Sequence, residues 1–318
     1  RYPLVSIYIL DVYLNNILVG ELKQNTRLNK PSRFTYFLFP RYAPCFKLPL
    51  FKNEHFMPAS TPVLRVQGLT KHYGGVKALT DAQFSLLPGE HAAIVGDNGA
   101  GKSTFVRLLT GVEQPSAGSI QLDGAQVQFS SPLDAREQGM ETVYQTLALA
   151  EDLDVPANIF LGREITRLNL GPLSILNHRA MRQQSVDMLA TTGVRIQDMS
   201  APLRGMSGGQ RQCVAIARAA GFAKKLIILD EPTAALGVQE TARVEEIIKG
   251  LKQRGVPLII ISHNLRQVFD LVDRIWVFRQ GRIICQRRTV DTNPQEIVGL
   301  ITGAIDPASL SSHEEAVC

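Results

Sequence analysis

The apolar positions of this chain fall into short runs separated by polar turns, and their period changes along its length. Val63-Leu64-Arg65-Val66 and Ala82-Gln83-Phe84-Ser85-Leu86 alternate like half-buried strands, with Tyr73-Gly74-Gly75 between them. This predicts an antiparallel layer. His91-Ala92-Ala93-Ile94-Val95 has the length and near-continuous apolarity of a strand buried on both faces, and Phe105, Leu108 and Leu109 then recur at helical spacing. Ser119 to Gly124 returns to alternation, Ser131-Pro132 carries the start signals of a short helix, and Met140 to Tyr144 reads as a strand ending at Gln145.

Residues 155 to 220 are predicted to be mainly helical, with breaks at Gly171-Pro172 and Gly193 and with Cys213, Ala217 and Ala220 on one helical face. Leu226-Ile227-Ile228-Leu229 is a second core strand, and it ends in two carboxylates. Val244, Ile247, Ile248 and Leu251 at i, i+3, i+4 and i+7 predict an amphipathic helix, and Pro257 to Ile261 the next strand. Arg274 to Phe278 and Arg282 to Cys285 are predicted as strands, 294 to 302 as a closing helix, and the tail from Asp306 as disordered.

Candidate chemistry sits where these elements join. Gly96-Asp97-Asn98-Gly99-Ala100-Gly101-Lys102-Ser103-Thr104 fits the P-loop pattern G-x-x-x-x-G-K-[ST] between a predicted strand and a predicted helix. Glycines there let backbone N–H groups close around phosphate oxygens; the helix N-terminus adds its positive end, Lys102 a charge, and Ser103 a ligand for Mg2+. ATP or GTP binding follows. Asp230 and Glu231, at the C-terminal end of a core strand, suit Mg2+ binding through water and the orientation of an attacking water respectively. His263 leaves the next strand at the same edge, within range of a γ-phosphate or water. Met206-Ser207-Gly208-Gly209-Gln210 offers a second anion-binding geometry, with Ser207 as N-cap and two glycines that permit close backbone approach.

Charge narrows the partners. The net charge is +5, but residues 1 to 56 hold eight basic and three acidic side chains, which is the whole surplus, leaving 26 of each sign in the rest. The body of the chain therefore has no electrostatic footprint for nucleic acid. The first 56 residues also hold five of seven tyrosines and six of thirteen phenylalanines, interrupted by prolines 31, 40, 44 and 49. Tyr2 to Gly20 is apolar, but Asp11, Asn15 and Asn16 at its centre oppose a membrane span. Residues 1–58 are expected to be a poorly organised extension, with 1–56 disordered or translated from upstream of a native start at Met57. The four cysteines are far apart, without a C-x-x-C pair, and read as reduced structural thiols.

In order and spacing, these motifs over residues 59–305 resemble the ATP-binding subunits of ABC transporters. The resemblance implies an α/β fold: a P-loop NTPase core with a mostly parallel sheet, an antiparallel β subdomain, and a helical signature subdomain at about 150–220, followed by a tail at 306–318. It also implies roles. Tyr73 stacks on adenine; Gly96, Asn98, Gly99, Gly101, Lys102, Ser103 and Thr104 form the Walker A loop; Gln145 is the Q-loop glutamine and a Mg2+ contact. Ser207, Gly208, Gly209 and Gln210 belong to the signature, Asp230 and Glu231 are the Walker B pair, and His263 is the switch histidine. Asn158 to Glu164 and Glu231 to Leu236 resemble the monosaccharide importers of the ribose, xylose and fructose type.

Such a protein hydrolyses ATP with Mg2+ between two copies of itself, on the cytoplasmic face of a bacterial inner membrane. Its partners are a permease and, indirectly, a sugar-binding protein, and not nucleic acid. Two departures stand out. Met206 replaces the usual leucine, a volume-conserving change. Gly237 replaces the aspartate frequent in the D-loop, which places coupling between the two nucleotide sites in question. The rival classes are a soluble ABC ATPase acting on nucleic acid or ribosomes, opposed by the neutral core, and a P-loop kinase, opposed by the signature helix and Glu231.

Overall fold

The computed structural model describes residues 61–168 and 175–310. The expectations for residues 1–58 and for the Gly171-Pro172 break lie outside the described residues. Strands β1 (Leu64–Tyr73) and β2 (Val76–Leu86) pair antiparallel, and β4 (Ala117–Leu122) and β5 (Ala125–Val127) extend them into a four-stranded sheet of order β2-β1-β4-β5. β1 runs seven residues beyond the alternation visible in the sequence. The register shifts after Val66, next to Gly68 at φ 63°, and such a bulge breaks period-two patterning.

The second sheet has the order β12-β11-β3-β10-β9-β6, from β3 (His91–Gly96), β6 (Met140–Val143), β9 (Leu226–Asp230), β10 (Leu258–Ile261), β11 (Arg274–Arg279) and β12 (Arg282–Arg288). All pair in parallel except β12, which returns antiparallel from β11. Alternate residues of these strands feed two cores. Ala93, Val95, Ile227, Leu229, Leu258, Ile260 and Val277 face helices α5 (Gly208–Phe222) and α6 (Val238–Gln253). On the other face, Ala92, Ile94, Ile228, Ile259, Ile261, Trp276 and Phe278 meet α1 (Lys102–Leu109) and the antiparallel sheet. Phe105 of α1 is fully buried, edge-on to Phe84 at 5.5 Å and to Phe278 at 5.4 Å. Burial of such a side chain contributes about 1.5–3 kcal/mol, and here it fixes the helix that starts at Lys102.

The short helix α2 (Pro132–Glu137) starts as expected, with Ser131 accepting from Asp134 N at 3.3 Å. The segment 155–220 contains α3 (Val155–Ile159), α4 (His178–Thr191) and α5, but it is not helical throughout. β7 (Thr166–Leu168) and β8 (Ile175–Leu176) pair antiparallel on either side of Gly171-Pro172. Strands this short carry no period, so the sequence pattern cannot reveal them. Helix α7 (Leu265–Leu271) links β10 to β11, and α8 (Pro294–Thr302) follows β12. The tail expected to be disordered from Asp306 begins instead with a 3-10 turn at Pro307–Ser309, capped by Asp306, and Leu310 packs on the core; residues 311–318 lie outside the described residues.

One polar side chain is buried at the root of the central strand. His91 is fully buried; its Nε2 lies 3.1 Å from the Val256 carbonyl and its Nδ1 has no partner. A carbonyl only accepts, so Nε2 carries the proton of the neutral ring. Burial, assisted by the charge of Lys252, pushes the imidazole down from 6.5 to about 4. The unfolded chain therefore binds this proton more readily than the folded one between those values. The stabilisation is complete above pH 6.5 and is lost as pH falls towards 4, at a total of about 3 kcal/mol. Thermal melting of wild type and His91→Gln between pH 7 and pH 4.5 is expected to show a steeper acid loss for wild type. Equal slopes would remove His91 from the acid response.

Candidate functional site

The parallel strands deliver their chemistry to one edge. β3 ends in Gly96, β9 in Asp230, β10 leads to Ser262-His263, and β6 to Gln145. Together with the loop 96–101 they line a cleft of about 900 Å3, in the crevice outside the carboxyl ends of the sheet. The sequence-predicted Gly96, Asn98, Gly99, Gly101, Lys102, Ser103, Thr104, Gln145, Asp230, Glu231 and His263 all line it.

Two glycines set the loop. Gly96 has φ 151°, and a Cβ there would lie 2.3 Å from the Phe278 carbonyl of the adjacent strand. Gly101 is left-handed, at φ 101°, with Ala78 O only 2.9 Å from a would-be Cβ. Any side chain at either position would push the loop off the sheet edge. Gly101 is also the N-cap of α1 and offers no side-chain cap, which leaves the positive end of the helix for an anion. Lys102 is buried at the same point, its Nζ donating to Gly96 O at 2.7 Å and Asp97 O at 2.9 Å. Burial lowers its pKa, and the negative charges of Glu231, Asp97 and Asp230 oppose that shift.

The acidic pair is split in environment. Asp230 lies within the sheet, and burial followed by the charge of Glu231 raises its carboxyl above the usual range, against Lys102 and Arg107. Glu231 turns out of the strand with φ 50°, a backbone region that non-glycine residues visit rarely, and its N–H donates to Ile261 O at 2.9 Å. Its Oε1 lies 3.1 Å from Nδ1 of the largely exposed His263. A carboxylate held by an imidazole at the cleft wall can orient and deprotonate a water. Among the described residues no group of three or more His, Cys, Asp or Glu could cage a metal ion. Ser103, Asp230 and Gln145 instead supply isolated oxygens, which suits Mg2+ shared with phosphates and water.

The remaining predicted residues are elsewhere. Tyr73 is not in the cleft wall, but its paired neighbour Val76 is. The residue is 42% exposed, and its hydroxyl bonds Glu113, which also takes Arg107 at 3.4 Å and Lys71 at 3.7 Å. Ser207, Gly208, Gly209 and Gln210 form the start of α5, away from the cleft. There Ser207 Oγ accepts from Gln210 N at 3.3 Å, and Gln210 Oε1 accepts from Ser207 N at 2.9 Å. α5 is nonetheless tied to the Gln145 segment. Arg218 donates to the carbonyls of Leu147 and Ala148 at 3.3 Å, and Arg211 meets Glu151 at 2.5 Å.

Lys77, Ala78, Gln280 and Gly281 also line the cleft, and the sequence did not single them out. The Gln280-Gly281 turn folds over the loop, with Gly281 N donating to Ala100 O at 3.1 Å and Gly281 O accepting from Thr80 N at 2.7 Å. Its only sequence signal is a turn between two strands. Conversely, the Asn158–Glu164 stretch holds the fold. Buried Asn158 bonds Ala150 N and O, Leu153 O and Asp154 O, while Arg163 pairs with buried Glu141 at 2.6 Å.

Sheet order, loop geometry and the acid pair together define a P-loop nucleotide-binding protein. Residues 79–234 match the family model described as ABC transporter. The chain is 45% identical over 252 residues to the fructose import ATP-binding protein FrcA of Rhizobium meliloti, covering 78% of this chain and 97% of that one. It is 42% identical to the xylose/arabinose import ATP-binding protein XylG of Sulfolobus acidocaldarius, over 76% and 94% of the two chains. The ribose import ATP-binding protein RbsA 2 of Rubrobacter xylanophilus is 40% identical, and there the match spans 46% of its length. Among solved structures, the ADP conformation of MJ1267, an ATP-binding cassette of an ABC transporter, superposes with a TM-score of 0.65 at 24% identity, over 78% of this chain and 97% of that one. The chain belongs to the ATP-binding family of ABC transporters, and it is an ABC-type ATPase.

Proposed function

We propose that this chain powers the uptake of a monosaccharide, hydrolysing ATP between two copies of itself beneath a permease. One observation carries the dimer: the residues suited to bind and cleave a triphosphate share one cleft, while Ser207–Gln210 start a helix outside it. A second copy facing the first would bring its signature to the first copy's nucleotide. Likeness to fructose, xylose/arabinose and ribose import proteins supports a sugar as cargo.

In this reading the P-loop N–H groups and Lys102 hold the phosphates, and Tyr73 stacks on the base. Mg2+, held by Ser103, Asp230 and Gln145, neutralises phosphate charge when bound. Glu231 takes the proton of the attacking water, and His263 fixes the carboxylate that does so. Loss of the γ-phosphate removes the anion that holds the partner's signature, and the dimer opens. The Gln145 segment, tied to α5 through Arg218, carries that change to the permease. Attachment at the cytoplasmic face of a bacterial plasma membrane goes through the permease. No helix among the described residues is long and apolar enough to cross a membrane.

Uptake of radiolabelled fructose, xylose, arabinose and ribose by cells with and without the chain tests the cargo. Loss of one sugar, with amino-acid uptake unchanged, is the expected result. Retention of all four would overturn the sugar assignment.

A further inference from the structure

Two helix N-termini meet at a single carboxylate. α6 begins at Gly237, which has no side chain with which to cap it; Glu240, at its third position, reaches back so that Oε2 accepts from Gly237 N at 3.3 Å. The same carboxylate crosses to the signature helix. Its Oε1 accepts from Gly209 N at 3.3 Å. Glu240 lies flat against Gly209: a Cβ there would fall 2.6 Å from its Cβ and Cγ. The second signature glycine is therefore needed for contact with this side chain within the same subunit. Gly237 itself has φ −69° and needs no glycine freedom, so its lack of a side chain concerns the cap alone.

The two ends it joins have different duties. One is the signature, which faces a nucleotide on the partner in the function proposed above. The other closes the turn that starts at Glu231, since Glu231 to Gly237 connects β9 to α6. The carboxylate that the D-loop lacks at 237 returns one helical turn later, at the same N-terminus. We infer that Glu240 is a positioning residue, which sets the signature N-terminus for the partner's ATP and locks it to the segment carrying this subunit's own Glu231. The inference rests on the two-copy reading of the site.

The test uses Glu231→Gln to slow hydrolysis, so that ATP-driven association can be followed by sedimentation. Glu240→Gln keeps the shape of the side chain and removes its charge. Glu240→Asp keeps the charge and a cap for Gly237, but is too short to bridge to Gly209. In the Glu231→Gln background both are expected to leave ATP affinity of the single chain within about twofold while weakening ATP-dependent dimerisation by on the order of tenfold. A merely structural cap would be preserved by Asp, and its loss would lower the melting temperature without separating these two constants. If either double variant dimerised as tightly as Glu231→Gln alone, the assignment of Glu240 would be overturned. If Glu231→Gln alone stayed monomeric with ATP, the two-copy reading and this inference would both fall.

Discussion

Glu231→Gln is expected to bind ATP as the wild type does and to hydrolyse it on the order of a hundredfold more slowly, or worse, a loss of about 3 kcal/mol of transition-state stabilisation. The amide fills the same volume and accepts the same contact from His263, but it cannot take a proton. In the proposed function nucleotide binding rests on other groups that line the cleft: the loop 96–101, the N-terminus of α1 and Lys102. Calorimetric ATP affinity and single-turnover hydrolysis separate the two effects. A variant that turned over at the wild-type rate would take the role of base away from Glu231. Because Glu231 sits at φ 50° and is pinned through its N–H to Ile261, the substitution leaves the backbone that aims the side chain unchanged.

Lys102→Ala is expected to act one step earlier. The ammonium is buried, held by two loop carbonyls, and surrounded by Glu231, Asp97 and Asp230, so it is the positive charge placed to balance a polyphosphate against nearby carboxylates. Its removal costs a charge-assisted contact of about 1.5–3 kcal/mol, a loss of ATP affinity of roughly tenfold to a hundredfold. Titration of a fluorescent ATP analogue reads this directly. An unchanged dissociation constant would mean that the loop amides alone hold the phosphates. The two variants together distinguish a site that binds from a site that cleaves.

Most of the cleft is legible in the amino-acid sequence, because its residues sit at fixed distances from strand ends. A continuous apolar run such as Leu226-Ile227-Ile228-Leu229 has to be a strand covered on both faces, and residues that follow such strands gather at one edge. Asp230, Glu231 and His263 are found by this logic, while Gln145, at the end of a less apolar strand, draws notice through resemblance. Lys77, Ala78, Gln280 and Gly281 are not found by it, since they reach the cleft from the start of β2 and from the β11–β12 turn, whose destination depends on how two sheets pack. Nor is the β7–β8 pair, whose strands are too short to show a period. Asn158 and Arg163 draw notice through resemblance, and the structure shows what each bonds. Asn158 closes the loop 150–154, and Arg163 compensates the buried Glu141.

The same division holds at Gly96, where the pattern G-x-x-x-x-G-K-[ST] already determined a glycine loop joining a strand to a helix start, a geometry that suits a phosphate. Local sequence decides this much, because the strand, turn and helix that make such a loop are contiguous and each forms from its own residues. Only the tertiary structure decided why Gly96 and Gly209 must be glycine. The first meets the Phe278 carbonyl across the sheet; the second meets Glu240, 31 residues along the chain. Contacts of that kind leave no periodicity in the sequence, since they depend on where separate elements come to rest against one another.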